Sequence, residues 1–241
     1  MSKNVFDIKG ELLSNAYPGR GIIFGRTLDN KQNVVAYFIM GRSENSRNRV
    51  FVETEDGIRT EAYDPSKMTD PSLIIYHPVR QCGGKLVVTN GDQTDTICEY
   101  LREGKSYIDA LRTREFEPDA PNYTSRISGV INEDGSYSLS ILKNFTSDRT
   151  SNKRFFYEYD KPVPGLGHFI HTYQCDGEPL PPFRGEPKCI RIEKPIKQFT
   201  EMLWTSMNEQ NKVALFVRYI DLATGAYWQE IRNKHEEGKN A

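Results

Sequence analysis

Long hydrophobic runs are missing from this 241-residue chain. No apolar stretch approaches the roughly 20 residues that span a bilayer. The opening Met1-Ser2-Lys3-Asn4-Val5-Phe6-Asp7 carries no hydrophobic signal segment, so a cytoplasmic protein is expected. An excess of charge is missing too. Thirty-two Lys plus Arg against 33 Asp plus Glu leave a net charge of −1. No global basic field exists to draw nucleic acid or an acidic membrane, which points to a small-molecule or protein partner. Cysteine is scarce: Cys82, Cys98, Cys175 and Cys189 are scattered, with no CxxC pair. That is the pattern of reduced thiols in a cytosolic protein. Clustered metal ligands are absent as well. His168 and His171 have HxxH spacing, but they flank Phe169-Ile170 in a strand-like segment without further ligands, and no metal is expected.

What is present is ordinary globular material, 37% hydrophobic and 27% charged, long enough to bury a sizeable core. The chain is organised around Val87-Val88-Thr89-Asn90-Gly91-Asp92-Gln93-Thr94-Asp95-Thr96-Ile97, which begins as an apolar strand and ends as a helix start. Asn90-Gly91 is a turn signal because both residues tolerate positive φ. Asp92, Thr94 and Asp95 can each cap the helix that Ile97, Tyr100 and Leu101 continue. A strand breaking into a helix N-terminus offers backbone N–H groups to an anion. The same residues serve plain capping, so a structural and a ligand-binding reading both stand at this point.

Apolar alternation predicts strands at 21–25 and 34–40, joined by the loop 29–33 as a hairpin of a central sheet. Further strands are expected at 50–52, 73–76, 85–89, 126–131, 137–142, 153–159, 167–173, 213–220 and 226–231, with Asp134-Gly135 turning one hairpin. Helices are expected after Thr94, after Ser106 (with Asp109 in a capping-box-like pair) and over 195–209, where Ile196, Phe199, Leu203 and Met207 make one stripe. Residues 174–187 read as a long proline-bearing loop, suited to a lid or a partner contact. Residues 1–15 read as a polar lead-in and 234–241 as a frayed tail. Between the first hairpin and the third strand, Gly41-Arg42-Ser43-Glu44-Asn45-Ser46-Arg47-Asn48-Arg49 contains no apolar residue and three arginines. Guanidinium forks suit phosphate and carboxylate, and a solvated loop would look the same. Strand-heavy composition without a clear linker favours one α+β domain over 1–241, with mainly antiparallel sheets and helices packed outside.

The run from Tyr37 through Arg49, then Tyr76-His77-Pro78-Val79-Arg80, then Asn90-Gly91-Asp92-Gln93-Thr94-Asp95-Thr96-Ile97, then Glu115-Phe116-Glu117 followed by Arg126-Ile127, resembles the archaeal-type IMP cyclohydrolase family over roughly residues 20–145. The resemblance implies two antiparallel sheets face to face with helices outside, like the N-terminal-nucleophile hydrolases. It implies closure of 5-formamidoimidazole-4-carboxamide ribonucleotide to IMP, with neither metal nor organic cofactor. It implies Glu117 and Tyr76 as catalytic residues, and Arg42, Arg47, Arg49, Asn90, Thr94, Asp95, Thr96 and Arg126 as the substrate-binding set. The sequence departs from the family pattern in Glu44-Asn45-Ser46-Arg47, in Pro118 directly after Glu117, and in its N-terminal lead-in. A purine-nucleotide-binding subunit without turnover would keep Arg49 and the Asn90 turn but would not need Glu117. An amidohydrolase using Ser2 as N-terminal nucleophile fits poorly, because about eighteen mostly polar residues separate Ser2 from the first strand. The oligomeric state is left open, a homo-oligomer included.

Overall fold

A computed structural model of the chain describes residues 5–145 and 150–236. In chain order the elements are α1 (Ile8–Ser14), β1 (Arg20–Arg26), β2 (Gln32–Met40), α2 (Glu44–Arg47), β3 (Arg49–Thr54), β4 (Gly57–Ala62), β5 (Val79–Cys82), β6 (Lys85–Thr89), α3 (Gln93–Arg102) and α4 (Tyr107–Arg112). They continue with β7 (Arg126–Ile131), β8 (Tyr137–Asn144), β9 (Asn152–Tyr159), β10 (Leu166–His171), β11 (Lys188–Arg191), α5 (Ile196–Ser206), β12 (Lys212–Asp221) and β13 (Tyr227–Asn233). Ser2 and the end of the tail, 237–241, lie outside the described residues.

The strands form two sheets, ordered β11-β10-β1-β2-β12-β13 and β3-β4-β5-β6-β7-β8-β9, and the pairing between their neighbours is antiparallel throughout. Period-two alternation decides what each face meets. Ile22, Phe24, Val35, Tyr37 and Ile39 pack against Phe51, Ile58, Val88, Ile127 and Leu139 of the other sheet. The alternate residues Ile23, Val34, Ala36, Phe38 and Met40 pack with Leu12 of α1 and with Phe199, Leu203 and Trp204 of α5. On the far side of the second sheet, Val87 and Val130 pack with Ile97, Cys98, Ala110 and Leu111 of α3 and α4. The layers are therefore α, β, β, α. Both faces of β1 and β2 are covered, which is why these strands read as near-continuous apolar runs.

Three expectations need correction. Residues 73–76 are not a strand: Pro71 O accepts from Ile74 N at 3.1 Å and Ile75 N at 2.9 Å, so the segment coils into a turn. The arginine-rich stretch is not all loop, because Ser43 and Ser46 cap the short α2 reciprocally. Cys82 and Cys98 are joined as a disulfide between β5 and α3, with Cα atoms 5.5 Å apart, rather than reduced. The strands β4, β5 and β11 are additional to those expected from the sequence.

Candidate active site

The chemistry-bearing residues gather at one end of the sandwich, where β1, β3 and β7 begin and β6 ends. β6 runs out at Thr89, and the chain turns through Asn90-Gly91 into α3. Asn90 is fully buried and makes several bonds: its Nδ2 donates to Ser125 O at 2.9 Å, while its Oδ1 accepts from Ile127 N at 2.8 Å and from Gln93 Nε2 at 3.0 Å. The same Nδ2 lies 3.5 Å from Glu117 Oε1. Gly91 does not use a positive φ. It is needed for close approach, since a Cβ there would stand 2.5 Å from Arg126 Nη1 and 2.8 Å from Gln93 Oε1.

Glu117 follows α4 in an irregular segment fixed by its own N–H donating to Thr124 O at 2.8 Å. Glu117 is 1% exposed. Burial pushes its pKa up to about 7 against the opposing pull of Arg20, Arg126 and Arg49, with Asp119 adding to the rise. Such a group can take up and release a proton near neutrality.

Two guanidiniums face this carboxylate without a matched partner. Arg49 is fully buried at the start of β3; its Nε donates to Ser46 O at 2.8 Å, but Nη1 and Nη2 have no acceptor. Burial lowers its pKa, with the nearby Arg20 cation contributing. Arg20 opens β1 on the inner face, in phase with Ile22 and Phe24, and its buried Nε also lacks an acceptor. Burial opposes its charge, yet Glu117 and the surrounding tyrosines leave its pKa raised. A buried donor without an acceptor costs about 1–3 kcal/mol, so the open nitrogens of both residues mark a place for a group that the chain itself does not supply. Tyr76 completes the cluster: its hydroxyl pairs with Tyr37 Oη at 2.8 Å, and its backbone is pinned by Thr60. Tyr173, stacked on Tyr17 with centroids 5.7 Å apart, lies near Arg20 and bonds Thr124 Oγ1.

The expected site residues divide. Arg49, Tyr76, Asn90, Glu117 and Arg126 come together. Arg126 is braced at 2.6 Å by Gln93 Oε1 and at 2.7 Å by Asp92 Oδ1, leaving its Nε without a partner. Thr94 is buried but holds the turn, bonding Thr89 Oγ1 at 2.6 Å and Gly91 O at 3.1 Å. Asp95 pairs with Arg80 at 2.8 Å, and Thr96 accepts from Arg114 at 3.4 Å. Arg42 is engaged by Asp176 at 2.9 Å, and Arg47 by Gly41 O at 2.9 Å and Asn211 Oδ1 at 3.0 Å. Arg42 also lies over the Tyr17 ring, 5.3 Å from its centroid. The α3 N-terminus is not an open anion nest. Asp92 brings its own negative charge there, and the N–H groups of Gly91, Thr94 and Asp95 are taken locally. His168 bonds Tyr137 at 2.7 Å and His171 stacks on Phe169; three residues apart on β10, they point to opposite faces. Sequence reading missed Arg20 and Gln93, and it took Tyr37 as core only.

Known proteins resemble this chain over much of its length. IMP cyclohydrolase of Methanococcus aeolicus is 29% identical over 166 residues, covering 66% of this chain and 75% of that protein. The Methanopyrus kandleri enzyme of the same name is 27% identical over 162 residues, 65% of this chain and 75% of the relative. That of Halobacterium salinarum is 30% identical over 131 residues, and this match spans 63% of the relative's length. A family model described as IMP cyclohydrolase-like protein matches residues 17–225, which takes in every residue of the cluster from Tyr17 to Tyr173. By the extent of that match, the chain belongs to the IMP cyclohydrolase-like family.

Proposed function

We infer that this chain closes the ring of 5-formamidoimidazole-4-carboxamide ribonucleotide to give IMP and water. The observation that carries the reading is Glu117, a buried carboxyl poised at about 7 beside two under-partnered guanidiniums. The names of its relatives point the same way.

Ring closure forms a bond between the carboxamide nitrogen and the formyl carbon. The formyl π pair moves onto oxygen, and the nitrogen loses a proton. The oxygen then leaves as water, carrying one hydrogen from the carboxamide and one from the formamide N–H. Glu117 takes the first proton and returns it to the departing oxygen, a double duty suited to a pKa near the working pH. Tyr76 donates to the oxygen as its charge develops. Arg49 meets an oxygen-bearing edge or the phosphate, and Asn90, through its bonds to Ser125 O, Ile127 N and Gln93, fixes the turn beside Glu117. Because both reacting groups belong to one molecule, holding them close supplies much of the rate.

The test is direct. The purified protein is mixed with the formylated ribonucleotide in EDTA, and IMP is followed by absorbance and chromatography. Rapid IMP formation is the expected result. Tight IMP binding without turnover would make the protein a nucleotide-binding subunit instead, and neither turnover nor binding would overturn the reading.

A further inference from the structure

Arg20 shares with Arg49, whose Nη1 and Nη2 lack acceptors, a buried guanidinium without an ion pair among the described residues, whereas the other described buried arginines are held. Arg26, on the same strand and face, has an acceptor for each nitrogen: Asn33 Oδ1 at 3.1 Å, Asn30 Oδ1 at 3.0 Å and Gly135 O at 3.0 Å. Arg218 is held twice by Gln229 Oε1. Arg126 has Gln93 and Asp92. Arg20 makes no ion pair among the described residues, and its Nε has no acceptor. Its backbone is fully occupied, donating to Thr172 Oγ1 at 3.1 Å and accepting from Thr172 N at 3.0 Å, so the strand end is rigid. The next two inward residues of β1, Ile22 and Phe24, are apolar. Nothing in the packing of β1 calls for a guanidinium at this place.

We propose that Arg20 is a further catalytic residue, whose guanidinium, together with the Tyr76 hydroxyl, holds the formyl oxygen as that oxygen becomes negative. The proposal rests on the cyclisation reading. Charge decides between this oxygen and the phosphate. The strongest charged neighbour of Arg20 is the Glu117 carboxylate, and Arg20 is in turn the strongest charged neighbour of Glu117. A phosphate dianion seated there would face that carboxylate. A singly charged oxyanion, arising as Glu117 takes up the proton, would not. The groups facing Glu117 are Arg20 from β1, Arg49 from β3, Arg126 from β7 and Asp119 from its own segment. Removing Arg20 therefore removes the largest cationic pull on the carboxyl and moves its titration to higher pH.

The experiment compares wild type, Arg20→Gln and Arg20→Lys by turnover of the formylated ribonucleotide against pH, and by calorimetric titration with IMP. For Arg20→Gln, kcat is expected to fall about 100-fold or more, as on loss of an oxyanion donor. Its acid limb should move to higher pH while Kd for IMP stays within about threefold. Arg20→Lys keeps the charge but not the fork. Its limb should stay in place with kcat between the two, and it carries the test if the Gln variant does not fold. Unchanged kcat in either folded variant overturns the proposal. So does weakened IMP binding at unchanged kcat, which would assign Arg20 to the phosphate. Absence of wild-type turnover would mean that the cyclisation reading itself fails, and the proposal with it.

Discussion

At the scale of single residues, the site depends on Glu117 being buried and still able to ionise. Glu117→Gln keeps the shape and removes the proton carrier. kcat is expected to drop by about 100- to 10,000-fold with IMP affinity nearly intact, as read by steady-state kinetics and calorimetry. The same substitution has a stability signature. The pKa is raised from 4.5 to about 7 in the fold, so the folded state holds this proton more tightly than the unfolded chain does. Below about pH 4.5 the group is protonated in both states and contributes nothing. Stability then falls as pH rises toward 7, by about 3 kcal/mol in total. Denaturant midpoints should accordingly rise in Glu117→Gln at pH 8 and hardly change at pH 4. Tyr76→Phe leaves Tyr37 Oη without its 2.8 Å partner, which should cost about 1 kcal/mol of stability and a larger factor in kcat. Asn90 and Arg49 drew notice in the sequence because each sits in a stretch with its own local pattern, whereas Glu117 was singled out only by the family resemblance. Arg20 drew none, because the first strand was read as starting at Gly21. Begun one residue earlier, it shows a charged side chain in phase with Ile22 and Phe24. The partners of Arg42 and Arg47, Asp176 and Asn211, lie 134 and 164 residues along the chain and leave no mark beside them in the sequence.

At the scale of elements, the turn between β6 and α3 holds the site together, and its glycine is where it is most sensitive. Gly91→Ala would drive a methyl group into Arg126 and Gln93, separating the pair that braces Asn90. The expected result is a loss of about 1–3 kcal/mol in stability, with kcat falling further than thermal denaturation alone explains. The sequence located this turn but gave the wrong reason for its glycine. Backbone dihedrals are local and readable as a dipeptide preference, whereas the tightest crowding around Gly91 comes from Arg126 of β7, more than thirty residues later. Residues 73–76 failed in the opposite direction. Their apolar content suggested a strand, but Asp70 Oδ1 accepts from Ser72 N at 2.9 Å and starts a turn before the apolar run can extend.

At the scale of the whole molecule, alternation and length identified most strands and hence an α+β domain of mainly antiparallel sheets, while the packing of two sheets face to face with helices outside was what the family resemblance implied. The order of the strands in the sheets did not follow from sequence, because pairing partners far apart in the chain leave no local mark. The layer between the sheets is close-packed. Phe24 is fully buried, meets Tyr137 edge-on at 5.7 Å between centroids and fills the space above Gly129. Phe24→Ala should cost about 3–5 kcal/mol in urea unfolding. The described residues contain no helix long and apolar enough to cross a membrane. The sheet order also implies a sequence of events. The second sheet runs from β3 to β9 as an unbroken meander, each strand pairing with the next one made. The first sheet has to recruit β10 to β13 from beyond it. Neighbour-to-neighbour pairing forms fast and distant pairing slowly. A growing chain would therefore already hold Glu117, Asn90 and Arg49 on a formed meander, while Arg20 waits on a lone hairpin for strands not yet synthesised. Competence for chemistry would then arrive last, and abruptly.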